Sequence, residues 1–278
     1  MKISIITPSF RNSAWLKLCI ASVADQEGVE VEHIVQDAGS DDGTLEWLPT
    51  DPRVKAFIEK DSGMYDAINR GFQRATGDII AWLNCDEQYL PGALASVHDY
   101  FEAHPETDVL VADSIVTDAK GNYLCHRMGL DPIQSHLWVR FPVLSCSLFV
   151  RRRVVSEMGI FLDAKWRIFG DLFWVMDFKK NGLRFGTLRQ FLSTFADTGE
   201  NLALSPRAQE EAKVKEALIP RWVLLARPAI ILWNKFRLLL SGAYTQKPFD
   251  FALYTLAAPS SRTLHQANLP TGHWPGRR

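Results

Sequence analysis

Short β-branched runs alternate with amphipathic stretches through the first ninety residues, and only a few residues join one to the next. Runs at 2–7, 31–36, 54–59 and 78–83 read as strands, and 13–26 and 64–75 carry a helical apolar stripe. Residues 44–48 open a further short helix. Connections this short favour a parallel sheet with helices on both faces. Such sheets bind ligands beyond the carboxyl ends of their strands, near the point where strand order reverses. Three of those ends carry an acid: Asp37 after the second strand, Asp61 after the third and Asp86 after the fourth. Scattered surface acids would not align this way.

Beyond residue 90 the pattern loosens. A helix opens at Pro91 and reaches about 103, and residues 108–118 and 123–128 flank Lys120-Gly121-Asn122 as a hairpin. A strand at 143–150, helices at 153–158 and 171–180 and a late strand at 184–188 follow. Residues 206–217 read as a polar helix. The apolar run 218–240 is interrupted by Arg221, Arg227, Lys235 and Arg237, and Pro228 is expected to kink or break it. Residues 265–278, rich in Pro and Gly, read as an extended or mobile tail. The expected division is a catalytic domain at 1–212 and a basic, amphipathic helical extension with its tail at 213–278.

Charge sharpens that division. The chain has 31 Lys+Arg and 32 Asp+Glu, a net −1 that offers no nucleic-acid footprint. The sum is a cancellation: residues 213–278 hold ten basic and two acidic residues, and residues 1–212 hold 21 and 30. A +8 segment bearing Trp222 and Trp233 suits the headgroup region of an anionic membrane; packing on the domain or against a second copy is the plainer alternative. Four cysteines without CxxC spacing argue against a disulfide framework or zinc cluster and point to a reducing compartment. The opening apolar run is too short for a signal peptide, and no stretch of 18 residues lacks a charge. A cytoplasmic protein, peripheral on the inner face of the cytoplasmic membrane, is the expectation.

Individual motifs support several chemistries. Asn84-Cys85-Asp86-Glu87 offers oxygen ligands to Mg²⁺ or Mn²⁺, or simply caps the helix near Pro91. Thr7-Pro8-Ser9-Phe10-Arg11-Asn12 ends a strand in donors suited to a phosphate or ribose, yet has none of the glycines of a P-loop. Asp37 is placed for a ribose or base N–H, whereas turn and cap roles account for Asp41, Asp42 and Thr44. Asp66, Asn69 and Arg70 lie about one helical turn apart. Asp171 sits in the apolar run Phe169-Gly170-Asp171-Leu172-Phe173-Trp174, where burial would raise its pKa toward that of a general base, or where it caps a helix. The histidines show no metal or triad spacing.

Taken in order, four stretches resemble the inverting family 2 glycosyltransferases of GT-A fold, and most closely those of bacterial capsule, exopolysaccharide and lipopolysaccharide assembly. They run from Ile5 to Asn12, His33 to Thr44, Glu59 to Gly71 and Ala75 to Glu87, and include Thr7-Pro8-Ser9, Gln36-Asp37, Asp61-Ser62-Gly63-Met64-Tyr65-Asp66 and Asn84-Cys85-Asp86. The resemblance implies a nucleotide-sugar-transferase fold: a Rossmann-like, mixed and mainly parallel sheet flanked by helices. It implies that Thr7, Ser9 and Asp37 hold the nucleoside, that Asp66 and Asn69 face the diphosphate or sugar, and that Asn84 and Asp86 occupy the metal-binding DxD positions, Asp86 holding the divalent cation. Asp171 matches the catalytic base, with Gly170 where the family usually has Glu. Ser147 stands where many relatives carry Gln. The implied partners are a nucleotide-sugar donor, UDP-linked by default, and a saccharide or lipid-linked saccharide acceptor. A sugar-nucleotide pyrophosphorylase, a non-catalytic nucleotide-sugar-binding protein and a membrane adaptor are the alternative readings.

Overall fold

The computed structural model describes residues 1–199 and 206–274. Arg277 and Arg278, counted in the basic segment, lie outside the described residues. Strands β1 (Lys2–Ser9), β2 (Glu30–Asp37), β3 (Lys55–Ile58) and β4 (Ile79–Trp82) alternate with helices α1 (Ser13–Ala24), α2 (Thr44–Trp47) and α3 (Met64–Arg74). The four strands run parallel, with β1 paired to β2 on one side and to β4 on the other. The chain steps outward from β1 to β3, then returns across β1. Strand order therefore reverses between β1 and β4, where Asp86 follows.

The sheet continues through β5 (Glu87–Tyr89), α4 (Ala93–Ala103), β6 (Val109–Asp118), β7 (Tyr123–Arg127), α5 (Gln134–Leu137), β8 (Leu148–Arg151), α6 (Arg153–Ser156), α7 (Gly170–Lys180) and β9 (Phe185–Asp197). Its order is β3-β2-β1-β4-β8-β6-β9-β5, with β7 on β6. Because β8 is antiparallel to both β4 and β6, those two end at the same edge. This is the mixed, helix-flanked sheet that the family resemblance implies; the alternation itself foretold its parallel part, β1–β4.

Alternate side chains of the strands feed two cores. Ile6, Ile34 and Trp82 pack with Phe72 of α3 and Trp174 and Phe178 of α7; Ile3, Ile5 and Ala81 pack with Cys19 of α1 and Val97 of α4. Close approach sets one residue of α3: a Cβ on Gly71 would stand 2.5 Å from Ile6 Cγ2.

Several elements depart from the sequence reading. The strand expected at 143–150 forms only as β8, because Ser145–Ser147 turn as a 3₁₀ helix. There the Ser147 hydroxyl bonds to those of Ser114 and Ser193, locking the turn against β6 and β9. β9 extends nine residues past Leu188, with register shifts that let it follow β6. Helices α8 (Pro206–Ala217) and α9 (Arg221–Leu240) follow, and α9 runs through Pro228 without a break. Proline leaves the Leu224 carbonyl without its helical donor, but both residues are exposed, so water can serve it. The C-terminal segment is not all helix and tail. Strands β10 (Phe249–Thr255) and β11 (Ala258–Ala267) form a hairpin. Arg262 binds it to Asp25 at 2.6 and 2.8 Å and to the Tyr89 carbonyl at 3.0 Å. Gln88 exchanges two hydrogen bonds with the Tyr254 backbone. Trp274 is buried with its ring centroid 5.5 Å from that of Phe195. The tail expected at 265–278 is thus strand and packed coil over 265–274.

Candidate active site

The site is built at the carboxyl edge of β1, β2 and β4. Parallel register sets Ser9 beside Asp37, and the Ser9 hydroxyl donates to the Asp37 carboxylate at 2.8 Å. Asp37 also accepts the Gly39 and Ser40 amides at 2.9 and 2.7 Å and the Ser40 hydroxyl at 2.8 Å. Fully buried and with four donors, it fixes the loop 37–40. That loop holds the end of β1 in turn: Ser40 accepts the amide of Arg11, a non-glycine residue at φ 52°. Asp42 accepts the Ser13 amide at the start of α1 and both donors of Thr44. Asp61 similarly receives the Gly63 amide. Phe10, 55% exposed, stands beside this loop.

Two expected binding residues face elsewhere. The Thr7 hydroxyl points inward and pairs with His33 Nε2 at 2.9 Å, with Cys19 Sγ at 3.6 Å. Burial drives the His33 pKa down to about 3, so the ring is neutral and can share that bond. Asn69 donates to the Leu162 carbonyl at 2.8 Å and accepts the Leu162 amide at 3.1 Å. Its amide therefore splices α3 to the chain before α7. Asp66 is turned toward its own helix start: it accepts the Ser62 amide and hydroxyl and the Arg70 guanidinium at 2.8–3.0 Å. Burial pushes this carboxyl up, but those donors outweigh it and hold it below its usual value. Ser147, fully buried in its serine cluster, presents no hydroxyl to an acceptor.

The end of β4 is different, because its polar groups are underused. Cys85 Sγ tethers the turn to the Pro8 carbonyl at 3.2 Å, next to the end of β1. Among the described residues, buried Asn84 Oδ1 and Glu87 Oε1 have no hydrogen-bond partner. Burial raises the Asp86 carboxyl. Burial, the adjacent Asp86 and the more distant Asp171 together raise Glu87 well above the carboxylate range. Asp86 lines a narrow crevice with Trp15, Asp118 and, from the hairpin, Tyr254 and Thr255. A larger cavity of about 830 Å³ lies between β9 and β10 beside Asp113 and Arg189, and none of the expected site residues lines it.

Asp171 approaches from the first turn of α7. Gly170 before it is required by packing, since a Cβ there would lie 2.5 Å from the Tyr65 ring. Burial lifts the Asp171 pKa to about 6 against the opposing Leu172 amide, which donates at 2.7 Å. Asp86 and Glu87 thus stand side by side at the reversal point of the sheet, and the charge of Asp171 reaches Glu87. Glu87 and Tyr65 complete this neighbourhood. Glu87 was legible only as the acid after Asp86; Tyr65 gave no signal apart from its place in a motif. Among the described residues no group of three or more His, Cys, Asp or Glu is arranged as a ready metal cage. The spare oxygens of Asn84, Asp86 and Glu87 are nevertheless the hard donors that Mg²⁺ or Mn²⁺ prefers, and such ions keep much of their shell for water and phosphate.

Comparison with known proteins identifies the family and the fold. Residues 4–156 match the family model described as Glycosyl transferase family 2. A PGL/p-HBAD biosynthesis glycosyltransferase of Mycobacterium bovis is 28% identical over 174 residues, covering 60% of this chain and 66% of that protein. An undecaprenol-linked GalNAc(5)-diNAcBac β-1,3-glucosyltransferase of Campylobacter jejuni is 30% identical over 102 residues, covering 34% of this chain and 33% of its own. The chain spans about 57–66% of the length of the first curated relatives it matches. Among solved structures, TarS 1-349 of S. aureus in complex with UDP-GlcNAc superimposes with a TM-score of 0.63 at 17% identity, over 79% of this chain and 65% of that one. Mannosyltransferase PcManGT of Pyrobaculum calidifontis, with GDP-Man and Mn²⁺, gives 0.55 at 16% identity, over 87% and 79%. The shared architecture is the GT-A fold.

Proposed function

The chain belongs to glycosyl transferase family 2 and is a glycosyltransferase; from that premise we propose that it moves a sugar from a UDP-sugar to a lipid-linked saccharide with inversion at the anomeric carbon. The observation that carries the reading is the pair of unpartnered buried oxygens, Asn84 Oδ1 and Glu87 Oε1, that flank Asp86 at the reversal point of the sheet. A UDP-GlcNAc complex among the structural neighbours favours the donor class. The Campylobacter relative, named for a polyprenol-linked acceptor, favours the acceptor class.

In this reading the nucleoside lies against the Ser9–Asp37 end of β1 and β2, and the diphosphate lies toward Asp86. Asp86, with Asn84 and Glu87, would hold the divalent cation, which supplies charge neutralisation for the departing diphosphate when bound. Asp171 takes the proton from the acceptor hydroxyl as that oxygen bonds to C1, and the C1–oxygen bond to the nucleoside diphosphate breaks. A single displacement of this kind inverts the anomeric centre and needs no covalent enzyme intermediate. With its pKa near 6, Asp171 is ionised at neutral pH yet basic enough to draw the proton.

Helix α9 supports a place at an anionic membrane. Val223, Ile230, Asn234 and Leu238 face inward, leaving Trp222, Leu225, Leu232, Trp233 and Leu240 exposed. Arg221, Arg227 and Lys235 are exposed among them and the helix carries no acid. An apolar face this large, edged only by cations, suits a lipid surface better than water. No helix among the described residues is long and apolar enough to cross a membrane.

The test is a transfer assay with a panel of UDP-, GDP- and dTDP-hexoses, with and without Mn²⁺, using lipid-linked oligosaccharides extracted from bacterial membranes as acceptor. The proposal expects acceptor-dependent release of UDP and a product of inverted anomeric configuration by NMR. Retention of configuration, or conversion of the UDP-sugar with added pyrophosphate to UTP and sugar 1-phosphate, would overturn it.

A further inference from the structure

Four residues separate Trp166 from Asp171, and two helices grip them. Glu211 of α8 accepts the Arg167 amide at 2.7 Å on one carboxylate oxygen and the Ile168 amide at 2.9 Å on the other. Its side chain is only 12% exposed. One turn further along α8, the Lys215 ammonium lies 4.5 Å from the centroid of Phe169. From the opposite side the Tyr65 hydroxyl of α3 donates to the Ile168 carbonyl at 2.9 Å, and its ring occupies the space beside Gly170. Successive peptide groups leading into α7 are thus fixed on both faces.

We infer that Glu211 is a positioning residue for the catalytic base, supplied to the active site by the C-terminal helical segment. The inference rests on the reading of Asp171 as the base. Two charge-assisted bonds from one carboxylate to adjacent backbone amides define both the position and the orientation of the loop. Proton transfer depends on that placement, since an error of about 1 Å in a reacting group can reduce the rate about 100-fold. No residue expected to hold the donor contacts Glu211, so its loss should act on turnover and leave donor binding intact. Helix α8 then does more than join the catalytic sheet to α9.

The experiment uses the full chain with Glu211→Gln. Glutamine keeps the size and helix propensity of glutamate but turns an NH₂ group toward one of the two loop amides, breaking that bond. Turnover is normalised to the fraction of protein that binds UDP-sugar, so loss of fold is counted separately. We expect kcat to fall about 10- to 100-fold, with donor KM within about twofold of wild type. Tyr65→Phe, which loosens the same loop from the other side, should show the same split. Glu210→Gln, the same charge change at an exposed neighbour, should keep wild-type kcat. A normalised kcat for Glu211→Gln within about twofold of wild type overturns the inference, as does a loss shared equally by Glu210→Gln. Asp171→Asn is measured in parallel: if it retains activity the base reading itself fails, and if it alone is inactive only the role of Glu211 fails.

Discussion

A carboxylate desolvated without a countercharge is a liability to the fold, and Asp171, half-buried at the start of α7, is one. Its folded pKa of about 6 lies above the value near 3.9 of an unfolded aspartate. Such a group destabilises the folded state once ionised. No penalty exists below the unfolded value; it grows as pH rises and is complete above about 6. A shift of this size corresponds to about 2–3 kcal/mol. Asp171→Asn should therefore raise the melting temperature at pH 8 and leave it nearly unchanged at pH 4, while lowering kcat about 10²–10⁴-fold. Melting curves at the two pH values check the first part, and no gain at pH 8 would count against the burial argument. For the wild type, kcat should rise with pH to a plateau above about 6, the base being active when ionised. At this scale the sequence located residues better than it aimed them. Asp37 and Asp86 stand at the strand ends their positions suggested, because strand ends follow from hydrophobic patterning, and Asp171 opens α7 as its place in the apolar run suggested. The side chains of Thr7 and Asn69 have partners the sequence did not suggest, because side-chain direction is decided by groups distant in sequence: His33 for the first, the Leu162 backbone for the second.

Among the elements, those that alternate in the first half were legible almost to the residue, since short loops and β-branched runs admit one topology. The C-terminal hairpin was not. Its strand β11 mixes Ser, Thr, Arg and Gln with few apolar residues, and what holds the hairpin is remote: Asp25, Gln88 and the Tyr89 carbonyl. Arg262→Ala removes a guanidinium bonded to Asp25 and to the Ser22, Tyr89 and Ala252 carbonyls and should loosen the hairpin. The expected cost is about 1.5–3 kcal/mol, with faster hydrogen exchange across β10 and β11 and little change in β1–β4. Exchange that stays at the wild-type rate would show that the hairpin is held by its aromatic contacts alone. In α3, Gly71→Ala forces a Cβ into Ile6 and should destabilise the protein by about 1–3 kcal/mol, read by denaturant unfolding. Helix α9 ran through a proline that should have interrupted it, because its outer face is exposed where the lost bond falls.

For the whole molecule, the near-neutral charge conceals an acidic site and a basic flank. If α9 meets lipid, the protein should float with vesicles containing anionic phospholipid and not with neutral ones, and binding should weaken as salt screens the attraction. Replacing Arg221, Arg227 and Lys235 together by Gln should abolish flotation. Flotation unaffected by those changes would remove the electrostatic part of the proposal, and a concentration-dependent dimer in solution would assign the same face to a second copy. The account's central claim concerns the acidic end: Asp86 holds a metal-dependent nucleotide-sugar site that Asp171 serves without building. Thermal shift of the wild type, Asp86→Asn and Asp171→Asn with UDP-, GDP- and dTDP-sugars, each with and without Mn²⁺, tests it directly. The account predicts a Mn²⁺-dependent rise in melting temperature with UDP-sugars for the wild type and Asp171→Asn, absent in Asp86→Asn. It would be contradicted by no shift with any nucleotide sugar, or by a Mn²⁺-dependent shift that survives in Asp86→Asn.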